Sequence, residues 1–292
     1  MNDLAPDIMR QINRYRPVII EGLTLYPVTV ENYDLFTYCA PALGFMQQSL
    51  PVTMLVKPLI SAFFEMEQAE QTETQTTTPS GVNGEPEEKP KDLFMRSVMA
   101  LILALRLGEG LPMPERIKRV QLAFDKKTGE KLEALILIMD DGKPVEITPV
   151  KFGKLRPVIA AQNGIEIPPL DANPELVEAD RAVRMMNAPK LEMRLEDKVT
   201  FVALASGKEE DEIYDWPILK FDRRAIGAER VLTYLIYGIG ENSGMVKYKN
   251  GNPCPSPYFP RKQRSLGMMA LGEFRRGAEE EINKAHQNQD KE

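Results

Sequence analysis

Three glycines, Gly238, Gly240 and Gly244, stand close together in IYGIGENSGMVKYKNGNPCPSPYFP, and closely spaced glycines can let a backbone cradle a phosphate. That chemistry needs G-x-G-x-x-G directly after a strand and at the start of a helix, so that free N–H groups face the anion. Here the spacing is G-x-G-x-x-x-G. The residues upstream place Ile218, Phe221, Ala225, Ala228, Leu232, Leu235 and Ile239 at alternating steps of three and four, which marks one face of an amphipathic helix. The glycines therefore close a helix. Pro217 suits its first position, and Gly240 or Gly244 supplies the left-handed residue that ends it.

The other chemistry-bearing side chains are equally sparse. The one histidine, His286, lies in the polar run EEEINKAHQNQDKE, so no Ser-His or Cys-His pair is built around a packed imidazole. The two cysteines, Cys39 and Cys254, are far apart and form no C-x-x-C pair, which leaves zinc and thioredoxin-like chemistry without ligands and fits a reducing cytoplasm. Glu209-Glu210-Asp211-Glu212 is an acidic cluster of the kind that starts a helix, where the dipole favours negative charge. Asp140-Asp141-Gly142 is turn chemistry. No catalytic, metal or cofactor residue is expected, and the chain reads as a protein that is not an enzyme.

Composition sets wider bounds. The chain has 292 residues, 43% of them hydrophobic and 27% charged, with a formal net charge of -6. It is long enough for one large domain or two modest ones, and its acidity counts against a nucleic-acid partner held by overall charge. The first residues, MNDLAPDIMRQINRYR, hold no apolar core of signal-peptide length, and no segment approaches the roughly 20 apolar residues of a membrane helix. A protein outside the membrane, not secreted by the usual route, is expected.

The elements follow from pattern. RPVIIEGLTLYPV gives two short strands around Glu21-Gly22, and Thr29 is placed to cap a helix through VENYDLFTYCA that ends before Pro41. TMLVKPLISAFFEME is helical but split or kinked at Pro58. Residues Gln68 to Asp92 are rich in Thr, Glu, Gln and Pro without apolar periodicity, and read as a disordered insertion inside one domain. LFMRSVMALILALRLG is a strongly apolar helix ending at Gly108 and packed on the segment before the insertion. Three strands follow as an antiparallel meander: Val120, Leu122 and Phe124 alternate in the first, LEALILIM is the buried centre, and Asp141-Gly142 makes the second turn. Thr148-Pro149 caps a helix through FGKLRPVIAAQNG, with Pro157 as an internal misfit and Asn163-Gly164 as its end. A proline-rich connector carries one short helix. From Leu191 the chain is helical, as LEMRLEDKVTFVALAS, the short KEEDEIYDW and the long helix before the glycines. The fold class is thus α+β, a small antiparallel meander and an N-terminal strand pair packed with helices, followed by an all-helical module. The domains are expected at 1-190, 191-260 and a partly disordered tail, 261-292.

Several of these strings occur together elsewhere. ITPVKFGKLRPVIAAQNGIEIP, the connector with NPEL, LEDKVTFVALASGKEEDEIYDWPILKFDRR and NSGMVKYKNGNPCP resemble a family of tailed-bacteriophage proteins encoded beside the tail tape-measure gene, taken to be tail assembly chaperones. GLTLYPVTVENYDLF looks like that family's opening strand pair and helix. The resemblance spans most of Arg16 to Pro260; it omits the 68-92 insertion and the tail, and Pro157 departs from the uninterrupted helix expected of relatives. It implies a cytoplasmic helper in the host cell that binds the long, coiled tape-measure chain, shields it before the tube closes and helps recruit tail-tube subunits. The ring symmetry of a tail permits a homo-oligomer by analogy.

Such work needs adaptable apolar surface. Of the 15 methionines, Met185-Met186, Met193, Met245 and Met268-Met269 lie where binding is conceivable, although apolar residues at helical spacing more often fill the core. Trp216, before Pro217, reads as a core anchor at a helix junction or as a partner contact. The main candidate for a recognised surface is Lys247 to Pro260, where Tyr248, Tyr258 and Phe259 stand among prolines in a run that stays extended. Two other classes stand beside the chaperone reading. One is a structural tail or baseplate component retained in the virion. The other is a small nucleic-acid-binding regulator using Arg261 to Arg264 and Arg275-Arg276, whose binding would weaken steeply with salt.

Overall fold

The computed structural model describes residues 4–74, 92–125, 131–169, 172–187, 194–244, 246–249 and 251–257. Helix α1 (Pro6–Asn13) leads into the antiparallel pair β1 (Val18–Ile20) and β2 (Leu23–Leu25), in the register Val18↔Leu25. Glu21 and Gly22 both take positive φ, 49° and 75°, the backbone that a two-residue hairpin needs to match the twist of its strands. A 3-10 turn at Val30–Asn32 precedes α2 (Tyr33–Gly44). Thr29 makes no cap bond to the backbone there; its hydroxyl accepts from Asn32 Nδ2 at 3.4 Å.

The core is built around α4 (Leu93–Ala104), apolar except for Arg96 and Ser97 and therefore stable only when largely surrounded. Ten of its twelve residues are buried, among them Leu101, Ile102 and Leu103. Its partners are α2 and α3 (Leu59–Thr74). Phe64 and Phe94 meet edge to face with centroids 5.1 Å apart. The Glu67 carboxylate accepts the N–H groups of Phe94 at 2.7 Å and Met95 at 3.2 Å, so α3 caps a helix whose own preceding residue, Asp92, makes no cap bond. The two segments flanking the insertion thus pack together as expected. The insertion's boundaries need correcting: residues 68–74 continue α3, and 75–91 lie outside the described residues. The apolar helix itself stops at Ala104, and a turn carries the chain through Gly108 to the short α5 (Met113–Ile117).

The meander forms as read, in the order β3 (Val120–Phe124), β4 (Leu132–Ile138), β5 (Pro144–Ile147). Leu132, Leu135 and Leu137 of the central strand are buried, and Gly142 turns with φ 78°. Thr148 then caps α6 (Pro149–Gln162), its hydroxyl accepting from the Lys151 N–H at 3.3 Å.

Two prolines, Pro41 expected to follow a helix end and Pro157 expected as an internal misfit, are both accommodated within helices, Pro41 in α2 and Pro157 in α6. Each costs one backbone bond, to residue 37 and to residue 153, and each helix is held instead by what it packs on. Residue 153 is a glycine, which leaves the turn facing the Pro157 ring without a side chain. Next to Pro157, Arg156 donates to the carbonyls of Leu43, at 2.9 Å, and Phe45, clamping α6 to the end of α2; burial draws its guanidinium down to about 10. At the far end of α6, the Asn163 Oδ1 accepts the Val28 N–H at 2.9 Å and Gln162 donates to the Leu25 carbonyl at 3.1 Å.

Helices α8 (Leu195–Ser206), α9 (Glu210–Tyr214) and α10 (Ile218–Asn242) follow. Helix α8 starts at Leu195 with Arg194 as its extended N-cap, and residues 191–193, where the helical run was expected to begin, lie outside the described residues. Val199, Val202, Ile213, Phe221 and Ala225 bury one another against Val30, with Tyr33 and Phe221 edge to face at 6.1 Å. Thr29 pairs with Pro217, and the Val30 N–H donates to the Trp216 carbonyl at 2.9 Å. Residues 4–167 and 194–257, where described, form one compact unit. The connector belongs to a second unit and contributes α7 (Pro174–Asn187), on which Met186 is exposed.

Candidate functional site

The long helix α10 changes character along its length. Its first two turns bury Ile218, Leu219, Phe221 and Ala225. Beyond them the same stripe emerges into solvent: Val231 is 47% exposed, Leu232 47%, Leu235 48%, Ile236 68% and Ile239 66%. From Val231 to Gly240 the helix carries no charged residue, Arg230 and Glu241 being the first on either side. A surface helix ordinarily turns its polar face outward. Here the spacing 221, 225, 228, 232, 235, 239 alternates fours and threes without a break, the 3.5-residue repeat by which one helix meets another. An uncharged, contiguous, exposed aliphatic stripe is the mark of an interaction surface.

The end of α10 positions the segment beyond it. Gly244, with φ 69°, turns the chain, and the Val246 N–H returns to the Gly240 carbonyl at 3.3 Å. Tyr248 lies on Tyr237, ring centroids 5.4 Å apart, and Asn252 Nδ2 donates to Glu241 at 2.7 Å. Tyr237 and Glu241 sit on a different side of α10 from Leu232, Leu235 and Ile239, so the returning chain leaves the apolar stripe open. Gly240 makes this approach possible: a Cβ there would stand 3.1 Å from the Tyr248 hydroxyl. It lies inside the helix, and the left-handed closing residue is Gly244.

Of the residues singled out for partner contact, Lys247 is exposed and Tyr248 is half-buried on its own helix. Trp216 is half-buried against the cluster around Phe221, with the Lys220 ammonium 3.7 Å from its ring centroid. Met245, Tyr258, Phe259, Met268 and Met269 lie outside the described residues, as do Arg261 to Arg264. The outward half of α10 was not foreseen. Its signal in the sequence is the ten-residue gap between charges.

The acidic groups have structural work. Glu210 accepts the Thr200 hydroxyl at 2.7 Å, Glu212 pairs with Lys208 at 2.8 Å, and Asp141 accepts the Lys143 N–H at 3.0 Å within its turn. Lys198 sits between Asp222 and the Tyr33 hydroxyl; burial pulls its ammonium down, but the hydrogen bond and charge of Asp222, with Tyr33, outweigh that and leave it raised. Among the described residues no three His, Cys, Asp or Glu side chains could hold a metal ion, and no helix is long and apolar enough to cross a membrane. Compared with protein-family models, curated proteins and solved structures, the chain matches none.

Proposed function

We propose that this chain is a non-catalytic tail assembly chaperone of a tailed phage, acting in the host cytoplasm and holding a helical partner on the outward half of α10. The observation that carries the reading is the stripe from Val231 to Ile239, exposed, uncharged and spaced for a second helix. A chain that protects another protein needs apolar surface it can lend, and a rigid helix anchored by Phe221 presents it at little cost in entropy. The family resemblance names the partner: the coiled tape-measure chain, with tail-tube subunits as a second client.

The test is co-expression with a tape-measure protein from the same genome, read by pull-down and by the soluble fraction of the tape measure. A stoichiometric soluble complex is expected, lost in Leu235→Lys and weakened by deleting residues 247 to 260. A tape measure that stays insoluble and unbound beside the intact chain overturns the proposal.

A further inference from the structure

A second feature lies away from the outward half of α10. Arg116, on α5, is only 6% exposed, yet among the described residues its guanidinium makes one hydrogen bond, Nε donating to the Leu107 carbonyl at 2.6 Å. A guanidinium carries five N–H donors, and burying its charge without a counter-ion is costly. The two acids that feel it are engaged elsewhere. Glu109 pairs with Arg106 at 3.7 Å, and Asp140 is held by Arg119 and by the Gly108 N–H at 3.1 Å.

Arg116 lines a cleft of about 420 Å³. Pro27, Val28, Leu103, Leu111 and Pro112 supply apolar wall, and Glu31 and Glu109 add two carboxylates, the second paired with Arg106, which also lines the cleft. The turn after α4 shapes it through three residues with positive φ: Arg106 at 53°, Gly108 at 60° and Gly110 at 86°. For an arginine this backbone is strained, and such strain collects at functional sites. The Arg106 guanidinium is steadied over the Tyr26 ring, 4.8 Å from its centroid. At Gly108 a Cβ would come within 3.3 Å of Arg116 Cγ and 3.4 Å of Leu111 Cδ1, so the glycine lets the arginine stem lie against the turn.

We propose that this cleft binds a carboxylate carried on an apolar body, with Arg116 holding the carboxylate and Leu111 and Pro112 covering the apolar part. Because Nε is taken by Leu107, the two terminal nitrogens remain for an end-on, two-bond contact, the geometry in which guanidinium and carboxylate match. Glu31 and Glu109 disfavour a second negative charge, and Arg106 is already paired with Glu109, which selects a monocarboxylate over a diacid or a phosphate. The carboxylate can come from a free acid or from the C-terminus of a peptide, and the probes separate the two.

The intact chain is titrated by calorimetry with N-acetyl-leucine, N-acetyl-leucinamide, succinate and a leucine-ended heptapeptide with free or amidated terminus. N-acetyl-leucine is expected to bind at one site, with the amide and succinate weaker by about tenfold or more, the equivalent of about 1.4 kcal/mol. Arg116→Met, which keeps an apolar stem, should abolish the difference between acid and amide. Leu111→Trp, at an exposed wall position, should weaken the acid without touching Arg116, and decides the matter if Arg116→Met does not fold. A heptapeptide acid about tenfold tighter than N-acetyl-leucine assigns the site to chain termini; equal affinity assigns it to free acids. No binding up to tens of millimolar, an amide as good as the acid, or unchanged binding in the folded variants overturns the proposal.

Discussion

Cys39 shows how one buried side chain ties stability to pH. It is fully buried on α2, and burial pushes its thiol from an ordinary 9.0 up to about 12, with only the charge of Arg96 pulling the other way. Between those values the unfolded chain has lost the proton and the folded chain keeps it. The native state therefore binds more protons, and stability falls as pH rises. The contribution is intact below 9.0 and disappears progressively toward about 12. Denaturant unfolding at about pH 8 and about pH 11 should show the intact chain losing roughly 2–3 kcal/mol more than Cys39→Ala over that interval. Equal losses in the two proteins would place the alkaline sensitivity elsewhere.

At the scale of elements, two glycines in α10 are distinguished by what surrounds them. Gly238 has open space where a Cβ would stand, whereas at Gly240 a Cβ meets the Tyr248 hydroxyl at 3.1 Å. Gly238→Ala should stabilise the protein by about 0.5–1 kcal/mol through backbone entropy and helix propensity. Gly240→Ala should give no such gain and should free the returning loop, seen as faster proteolysis between residues 246 and 257 without loss of helix by circular dichroism. Elements with a local cause could be read from the chain: the Glu21-Gly22 hairpin, the Asp141-Gly142 turn, the Thr148 cap. Those decided by distant contacts could not. The alternation expected in β3 does not hold, since Leu122 and Phe124 are both exposed and the register shifts at Ala123/Phe124. Pro41 and Pro157 stay helical because α2, α4 and α6 pack around them, and Arg156 adds bonds that no local pattern reveals. The same limit governs the sites. Periodicity identified an apolar face on α10 but says nothing of what covers it, and Arg116 looks like any surface arginine until the turn at Gly108 folds over it.

For the whole molecule, α10 is where fold and surface divide within one helix. Phe221 is fully buried with Val30, Val199, Val202 and Ile213, linking the C-terminal helices to the turn before α2. Leu235, four turns on and on the continuing stripe, is about half exposed. Stability should follow the first and partner capture the second. Phe221→Ala leaves a cavity among packed side chains and should cost about 3–5 kcal/mol. Leu235→Lys removes little buried area and should change stability by no more than about 0.5–1 kcal/mol, while making the isolated chain less prone to associate. Thermal melts combined with light scattering across a concentration series measure both quantities on the same samples. If Leu235→Lys melts as early as Phe221→Ala, the stripe belongs to the core of the protein. A variant that keeps the melting temperature and loses association leaves the stripe as surface held ready for a second helix.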